Sequence, residues 1–240
     1  MTLSAPIPVL KQQAKALSRT QKLPLHAALD RIAVREGFRA WSHLAASWQQ
    51  GGQAAQLHAQ LSPGDLVLLA ARPYQGKTAL GLGLAVEALR RGRPAAFFTL
   101  EYTRAEVEAL LHAGGDGLAA AACGLHIDTT DELSSVHVAQ VLADAPPRML
   151  VVIDYLQLLD QRRDKPPLAE QVVQLKAFAQ QRQAVVVCLA QIARDYRPDT
   201  RPFPGIGDVR LPNPADLTLF DKACFLQDGA VRMQAGVAQG

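Results

Sequence analysis

The residues best suited to chemistry lie between an apolar run and a helical pattern. Gly76, Lys77 and Thr78 follow the run at residues 66–71 and precede a predicted helix at residues 79–91. In such a turn, consecutive backbone N–H groups surround phosphate oxygens, the lysine reaches the outer phosphates and the threonine hydroxyl ligates Mg²⁺. We therefore predict a nucleotide-binding loop of the Walker A type, with alanine in place of its first glycine. Its residues are Ala71, Arg72, Pro73, Tyr74, Gln75, Gly76, Lys77, Thr78 and Ala79.

A carboxylate at the end of another apolar run is the candidate metal ligand. Residues 149–153 are all apolar, and Asp154 is the first charged residue after them. An isolated carboxylate at the edge of a buried sheet is costly, and a bound Mg²⁺ offsets that cost. We predict Thr78 and Asp154 as the metal-binding residues. The alternative for Asp154 is that it only caps the following turn.

Two further polar residues end predicted strands. Glu101 follows the apolar run at residues 95–100, and Gln191 follows the run at residues 184–190. Ligands of open α/β sheets bind at the carboxyl ends of the strands. Together with Lys77, we predict Glu101 and Gln191 as catalytic residues, Glu101 as general base or water positioner and Gln191 as sensor of the γ-phosphate. A helix cap is the alternative for Glu101, and Gln191 taken alone is equally consistent with a structural residue.

The elements that must position these residues follow an alternating order. Apolar runs, which predict buried strands, alternate with amphipathic segments, which predict helices. This order predicts an α/β fold with a mostly parallel sheet that helices cover on both faces. The predicted strands lie at residues 66–71, 95–100, 149–155 and 184–190, and the predicted helices between them at residues 79–91 and 168–181.

The first 50 residues are predicted to form a separate helical module. Three short amphipathic helices are expected there, and the polar stretch at residues 49–53 is interpreted as a break. The predicted organisation is a basic helical module at residues 1–50, a linker at residues 51–62 and the α/β domain at residues 63–240.

Charge is distributed unevenly between these two parts. Residues 1–50 contain seven Lys and Arg residues against two acidic ones, a balance of +5, whereas the remaining 190 residues have a balance of −2. A solvated helix face is the simpler explanation of the basic residues, and binding of DNA or another acidic surface is the other.

Composition excludes several classes of protein. The chain of 240 residues is 49% hydrophobic and 20% charged, which is typical of globular proteins and excludes disordered and fibrous ones. No run of about 18 apolar residues predicts a membrane span, and the N-terminus lacks the pattern of a secretion signal. The three cysteines are scattered without a CxxC pair, which argues against disulfides and zinc. We expect a cytoplasmic protein.

Four segments in order resemble the motor domain of the DnaB-type replicative helicases. They are Ala-Arg-Pro-x-x-Gly-Lys-Thr-Ala from residue 71, Thr-Leu-Glu-Tyr-Thr from residue 99, Val-Val-Ile-Asp-Tyr-Leu-Gln-Leu-Leu from residue 151, and Leu-Ala-Gln-Ile-Ala-Arg from residue 189. The resemblance covers roughly residues 60–210, and Asp-Tyr-Leu-Gln-Leu at residues 154–158 is its most distinctive part.

This resemblance implies a RecA-like P-loop core that uses ATP and Mg²⁺. It also implies a homo-oligomer, a hexameric ring with nucleotide between subunits and single-stranded DNA in the central channel. By the match, Lys77 and Thr78 bind phosphate and metal, Asp154 supports the metal, Glu101 is the catalytic glutamate and Gln191 is the sensor. Residues 207–210 fall where the family has a Ser-Asp-Leu-Arg segment.

A loop rich in arginine and proline follows the last of these segments. In RecA-like motors the corresponding region lines the DNA channel, and arginines interleaved with Tyr196 and Phe203 suit single-stranded DNA through phosphate contacts and base stacking. A proline-stiffened surface loop is the alternative. The predicted DNA contacts are Arg194, Arg197, Arg201 and Arg210.

Two departures from the family keep other functions open. The segment before the predicted core is shorter than the family's primase-recruiting domain, and the family's C-terminal Lys-x-Arg motif is not recognisable. The favoured function is a DNA-dependent ATPase or helicase. The alternatives are a regulatory ATPase similar to the KaiC and RadA relatives of this fold, which switches protein partners by nucleotide state, and a module that binds ATP with little turnover.

Overall fold

A computed structural model describes residues 7–21, 23–38, 40–113, 116–162 and 164–236 of the chain. The helices are α1 Ile7–Gln21, α2 Leu25–Arg35, α3 Trp41–His58, α4 Lys77–Arg90, α5 Arg104–Ala113, α6 Asp116–Ala121, α7 Ser135–Val141 and α8 Leu168–Arg182. The strands are β1 Leu66–Ala71, β2 Ala95–Thr99, β3 His126–Asp128, β4 Leu150–Asp154, β5 Val185–Gln191, β6 Lys222–Gln227 and β7 Ala230–Ala235. Short 3₁₀ helices lie at Leu156–Leu158, Ile206–Asp208 and Leu217–Leu219.

One mostly parallel sheet organises the described chain. Its strand order is β3-β2-β4-β5-β1-β6-β7, and every neighbouring pair is parallel except the antiparallel pair β6 and β7. Ala71 pairs with Gln191 between β1 and β5, and Thr99 pairs with Asp154 between β2 and β4. The predicted α/β fold is confirmed, and four adjacent strands end at one edge of the sheet.

Both faces of the sheet are buried, because alternate residues of each central strand enter different apolar clusters. In β1, Leu66, Leu68 and Ala70 pack in the cluster that includes Val172 of α8, whereas Val67, Leu69 and Ala71 pack in the cluster that includes Leu84 of α4. A strand buried on both sides must be apolar at every position. This explains why the strands read as continuous apolar runs in the sequence.

A glycine brings α4 close to the sheet. A Cβ atom on Gly81 would lie 3.1 Å from Cγ1 of Val152 and 3.2 Å from Cδ1 of Leu189, so any larger residue there would require these side chains or the helix to shift. Helix α4 begins at Lys77, so its packing against β4 and β5 helps to place Lys77 near the strand ends.

The predicted break at residues 49–53 is wrong, since α3 continues through it to His58 and occupies most of the predicted linker at residues 51–62. Glycine pairs disfavour helix in isolation, but tertiary packing overrides this preference. Ala54 and Leu57 near one end of α3 are buried in the cluster under α4, and Leu44 near the other end is buried in the helical module.

The helical module is built from α1, α2 and the start of α3. Leu10 and Ala14 of α1, Ile32 and Ala33 of α2 and Leu44 of α3 form its buried core. The predicted helices α1 and α2 are confirmed, and Gly37 after α2 has the positive φ of 86° that is common where helices end. The basic residues Lys22 and Arg39 lie outside the described residues. Within the described chain, no helix is long and apolar enough to span a membrane.

The three cysteines are expected to differ sharply in reactivity. Cys188 of β5 and Cys224 of β6 are buried, and burial raises the pKa of both thiols to about 12, whereas Cys123 is exposed. We expect one thiol to react with Ellman's reagent at pH 8 in the folded protein and three to react in denaturant. Cys123→Ser should remove the fast-reacting thiol. A second fast-reacting thiol in that variant would contradict the burial of the two strand cysteines.

Candidate functional site

The loop between β1 and α4 has the backbone shape of an anion-binding turn. Tyr74 has a φ of 65° and Gly76, which precedes the first residue of α4, has a φ of 87°. Left-handed residues in a turn direct successive N–H groups into one concavity, and the first N–H groups of a helix have no partner within the helix. The loop predicted at residues 71–79 therefore has the geometry to bind phosphate oxygens.

A neighbouring turn holds this loop in place. The Gln75 side-chain oxygen accepts a hydrogen bond from the backbone N–H of Asp228 at 2.7 Å, in the turn between β6 and β7. Residue Gly229 of the same turn accepts a hydrogen bond from Gln53 of α3. Sequence reasoning missed this turn, because it lies about 150 residues from the loop in the chain.

Four of the predicted residues meet at the carboxyl edge of the sheet. The Nζ atom of Lys77 lies 3.3 Å from Oε2 of Glu101 and 3.3 Å from Oδ1 of Asp154. The Thr78 hydroxyl donates a hydrogen bond to Oδ2 of Asp154 at 2.9 Å. Asp154 is completely buried, whereas the Glu101 side chain is 29% exposed. Lys77 is thus paired with two carboxylates.

Burial and charge act in opposite directions on this cluster. Burial raises the pKa of the Asp154 carboxyl above its ordinary value, although Lys77 and the Thr78 hydroxyl favour the ionised form. Burial also disfavours the Lys77 ammonium, but the combined attraction of Asp154 and Glu101 prevails and raises the pKa of Lys77. The Lys77 Nζ also lies 4.8 Å from the centre of the Tyr155 ring, a cation–π contact.

The donor set fits Mg²⁺ when a nucleotide supplies the remaining ligands. Thr78 and Asp154 present hard oxygen atoms at the mouth of the loop, which is the ligand type that Mg²⁺ requires. The described residues contain no group of three or more His, Cys, Asp or Glu side chains arranged to hold a metal. Mg²⁺ usually binds through one or two protein oxygens plus phosphates and water, so this sparse set agrees with a nucleotide-bound ion.

Gln191 ends β5 as predicted and pairs with Ala71 of β1, and the buried side chain of Gln157 holds its backbone there. The Gln157 side chain is 4% exposed, and its Nε2 donates to the carbonyl oxygens of Arg210 at 2.6 Å and of Gln191 at 3.3 Å. Its Oε1 accepts from the Gln191 N–H at 3.3 Å. The Arg210 N–H in turn donates to the Gln191 carbonyl at 2.8 Å. Gln157 stood in the distinctive sequence segment, but its positioning role was not foreseen.

We expect Gln157→Leu to loosen the segment around Arg210. The substitution removes the amide that donates to the partly buried carbonyl of Arg210, and loss of such a hydrogen bond costs about 0.5–1.5 kcal/mol. Faster amide hydrogen exchange at residues 206–210, with unchanged exchange in β1 and β2, is the expected measurement. Gln157→Glu keeps the shape and one acceptor but loses the amide donor, so it should behave like Gln157→Leu at Arg210. Unchanged exchange in both variants would contradict this role.

The arginine-rich loop after β5 uses its aromatic residues internally. Tyr196 is 3% exposed, so its ring is not placed to stack on a base, whereas Phe203 packs against the core but is only partly buried. The Arg201 guanidinium lies 2.7 Å from Oδ1 of Asp208 and 5.5 Å from the centre of the Tyr196 ring. The expectation that aromatic rings of this loop are free to stack on bases is therefore wrong for Tyr196. All four predicted contact residues are exposed, namely Arg194, Arg197, Arg201 and Arg210.

Comparison with known proteins agrees with the resemblance in the sequence. Residues 116–212 match the family model for the DnaB-like helicase C terminal domain. The matched part contains Asp154, Gln191 and the arginine-rich loop, and the phosphate-binding loop precedes it.

Curated relatives and solved structures point the same way. The replicative DNA helicase DnaB of Synechocystis sp. is 29% identical over 187 residues, covering 62% of this chain and 21% of that protein. The replicative DNA helicase DnaB of Leifsonia xyli subsp. xyli is 28% identical over 181 residues, covering 62% of this chain and 40% of that protein. The matched region thus spans less than half the length of these relatives.

Two solved structures share the fold. One is an ATPase domain that superposes with a TM-score of 0.54 at 22% identity, covering 72% of this chain and 81% of that chain. The other is a DnaB-like replicative helicase, solved in a study of its interactions with primase, which superposes with a TM-score of 0.56 at 23% identity, covering 72% and 54%. The predicted similarity to the DnaB-type motor domain is confirmed, and so is the fold.

Proposed function

We propose that this chain is a Mg²⁺-dependent ATPase of the DnaB-like helicase type that acts on DNA. The observation that carries the proposal is the cluster of Lys77, Thr78, Glu101 and Asp154 at the carboxyl edge of the sheet. A nucleotide hydrolase needs a phosphate-binding lysine, a metal-binding oxygen pair and a carboxylate to orient water, and the cluster supplies each. The match of residues 116–212 to the DnaB-like domain supports the same function.

The roles follow from burial and distance. The loop at residues 71–79 binds the phosphates, and Lys77 leaves its two carboxylates to contact the outer phosphate oxygens. Thr78 and Asp154 would hold Mg²⁺, which when bound neutralises charge on the phosphate oxygens. Glu101 is the more exposed carboxylate, and once Lys77 moves to phosphate it is free to orient the attacking water and accept its proton. Gln191, fixed by Gln157, contacts the γ-phosphate.

The arginine-rich loop supplies the proposed DNA contacts. Of the four predicted contact arginines in this loop, Arg201 forms an ion pair with Asp208, and the other three pair with no carboxylate of a described residue. Arg194, Arg197 and Arg210 are therefore available to phosphates. The resemblance implies a hexameric homo-oligomer with single-stranded DNA in its channel, and we propose this assembly for the chain. The three cysteines of the chain are free thiols, which suits the reducing cytoplasm, and we propose that the protein is cytoplasmic.

ATP hydrolysis with and without single-stranded DNA tests the proposal. We expect Mg²⁺-dependent turnover that DNA raises several-fold at low salt and less at moderate salt, because phosphate contacts weaken as salt rises. Lys77→Ala is the blank, and chelation of Mg²⁺ should give the same loss. Absence of turnover under all these conditions would refute the proposal.

The burial of Tyr196 and the pairing of Arg201 favour a second candidate, a regulatory ATPase that changes protein partners with nucleotide state. Both features remove base-stacking and phosphate-binding groups from the loop. Turnover that depends on Lys77 and Mg²⁺ but is indifferent to DNA would support this candidate over the helicase.

A further inference from the structure

Helix α1 carries a row of positive charges on one side. Lys11, Lys15 and Arg19 are spaced by four residues, which places them on one helix face at intervals of about 6 Å along the axis. All three side chains are exposed, and α1 contains no acidic residue. We call these three residues the α1 basic row.

The members of the α1 basic row form no ion pair within the described residues, although the same module contains the carboxylates of Asp30 and Glu36. Surface cations of the α/β domain do form ion pairs, for example Arg91 with Glu87 at 2.8 Å and Lys165 with Glu132 at 2.7 Å. The carboxylate of Asp30 in α2 accepts a hydrogen bond from the Trp41 backbone N–H at 2.8 Å.

A fourth cation extends the row at its C-terminal end. The Arg31 guanidinium of α2 donates a hydrogen bond to the side chain of Gln21, the last residue of α1, at 2.5 Å. This contact brings Arg31 to the end of α1 where Arg19 lies. Like charges four residues apart repel each other along a helix and weaken it slightly. The α1 basic row therefore contributes nothing to the stability of α1, and its members are free to contact a partner in solvent.

We infer that the α1 basic row is a second nucleic-acid contact, which binds the sugar–phosphate backbone outside the α/β domain. Evenly spaced, exposed cations without counter-ions complement a line of phosphates. A membrane surface fits less well, because Leu10 and Ala14 of α1 are fully buried in the helical module and Val9 is the one large apolar side chain of the described part of α1 that is exposed to enter lipid.

The inference goes beyond the proposed function, since it requires neither nucleotide nor the arginine-rich loop. Helix α3 runs from the helical module to the cluster under α4, so nucleic acid bound by α1 is held near the ATPase core. The α1 basic row would therefore keep nucleic acid bound to the protein even when the nucleotide site is inactive.

The test uses the full chain with Lys11, Lys15 and Arg19 all replaced by glutamine, which keeps good helix propensity. Binding to fluorescent single-stranded and duplex DNA is measured by anisotropy without nucleotide over a range of salt. We expect affinity at low salt to fall at least tenfold. The slope of log K against log salt should decrease by about 2.7 on duplex DNA, or about 2 on single strands.

A charge-matched control separates the row from general electrostatics. Arg91, Arg104 and Arg162, which lie beside in-chain carboxylates, are replaced together by glutamine. This control should change the salt slope by less than the amount expected for loss of about one phosphate contact. The row variant should also keep the helical circular dichroism and DNA-free ATPase rate of the unmodified protein, because the row lies outside the nucleotide site.

Three outcomes overturn the inference. The first is a row variant whose salt slope for DNA binding is unchanged. The second is a charge-matched control that loses as much DNA affinity as the row variant. The third is a row variant that binds DNA normally but no longer binds anionic vesicles or an acidic protein. The proposed function fails separately, if the unmodified protein shows no ATP turnover. Lys77→Ala should keep the DNA binding that the α1 basic row provides.

Discussion

Lys77→Ala is expected to abolish nucleotide binding and to destabilise the ligand-free protein by about 3 kcal/mol at neutral pH. Lys77 is the only described side chain that forms an ion pair with the completely buried Asp154 carboxylate. Without the lysine, that carboxylate keeps only the Thr78 hydrogen bond against its loss of hydration. For a chain of this length the expected fall in Tm is about 6–12 °C.

The pH dependence of this deficit follows from the Asp154 pKa. Burial already raises the pKa of Asp154 in the folded protein above its unfolded value, and removing Lys77 raises it further. A group whose folded pKa is raised binds more protons in the folded state, so its contribution to stability falls as pH rises. The deficit of Lys77→Ala should therefore be largest above the raised pKa of Asp154 and should shrink on acidification.

A double variant separates stability from binding. Lys77→Ala with Asp154→Asn removes the uncompensated charge, so we expect most of the lost stability to return while ATP binding stays absent. Denaturant unfolding and titration with a fluorescent ATP analogue measure the two effects. The explanation fails if the single Lys77→Ala variant is as stable as the unmodified protein at neutral pH.

The sequence predicted those parts of the fold that local pattern determines. Strands buried on both faces must be apolar throughout, so β1, β2, β4 and β5 were recognisable as runs. The polar residues that end these runs were expected at one edge, and the parallel pairing of the strands brings them there. Strand β3, with only three residues at the sheet margin, has no comparable run and was not predicted.

What the sequence did not predict depends on contacts between distant residues. Gln157 acts on Gln191 and Arg210, which lie 34 and 53 residues further along the chain. The continuity of α3 depends on burial of Ala54 and Leu57 against another element, which outweighs the local preference of a glycine pair to break a helix. Tyr196 lies in a polar segment of the sequence, which predicts an exposed loop. Its burial is visible only in the folded structure.

Glu101→Gln is expected to lower ATP turnover by at least 10²-fold while ATP affinity is kept or increased. Glutamine retains the shape of the side chain but cannot accept a proton from water, and general-base groups contribute about 10²–10⁴-fold in rate. Glu101 also competes for Lys77, since its Oε2 lies 3.3 Å from Nζ in the absence of ligand. Removing that negative charge leaves Lys77 more available to phosphate, which is why affinity should not fall.

The matched control is Glu108→Gln, an exposed glutamate of α5 that lies 4.0 Å from Arg104 and outside the cluster. It makes the same chemical change at a nearby surface position and should leave turnover within about twofold, because exposed pairs contribute little. Steady-state phosphate release and titration with a fluorescent ATP analogue give the rate and the affinity for both variants. A Glu101→Gln protein that turns over at the unmodified rate would remove Glu101 from the mechanism. A variant that loses rate and affinity together would instead make Glu101 a residue that organises the nucleotide site, because the competition with phosphate for Lys77 would then be absent.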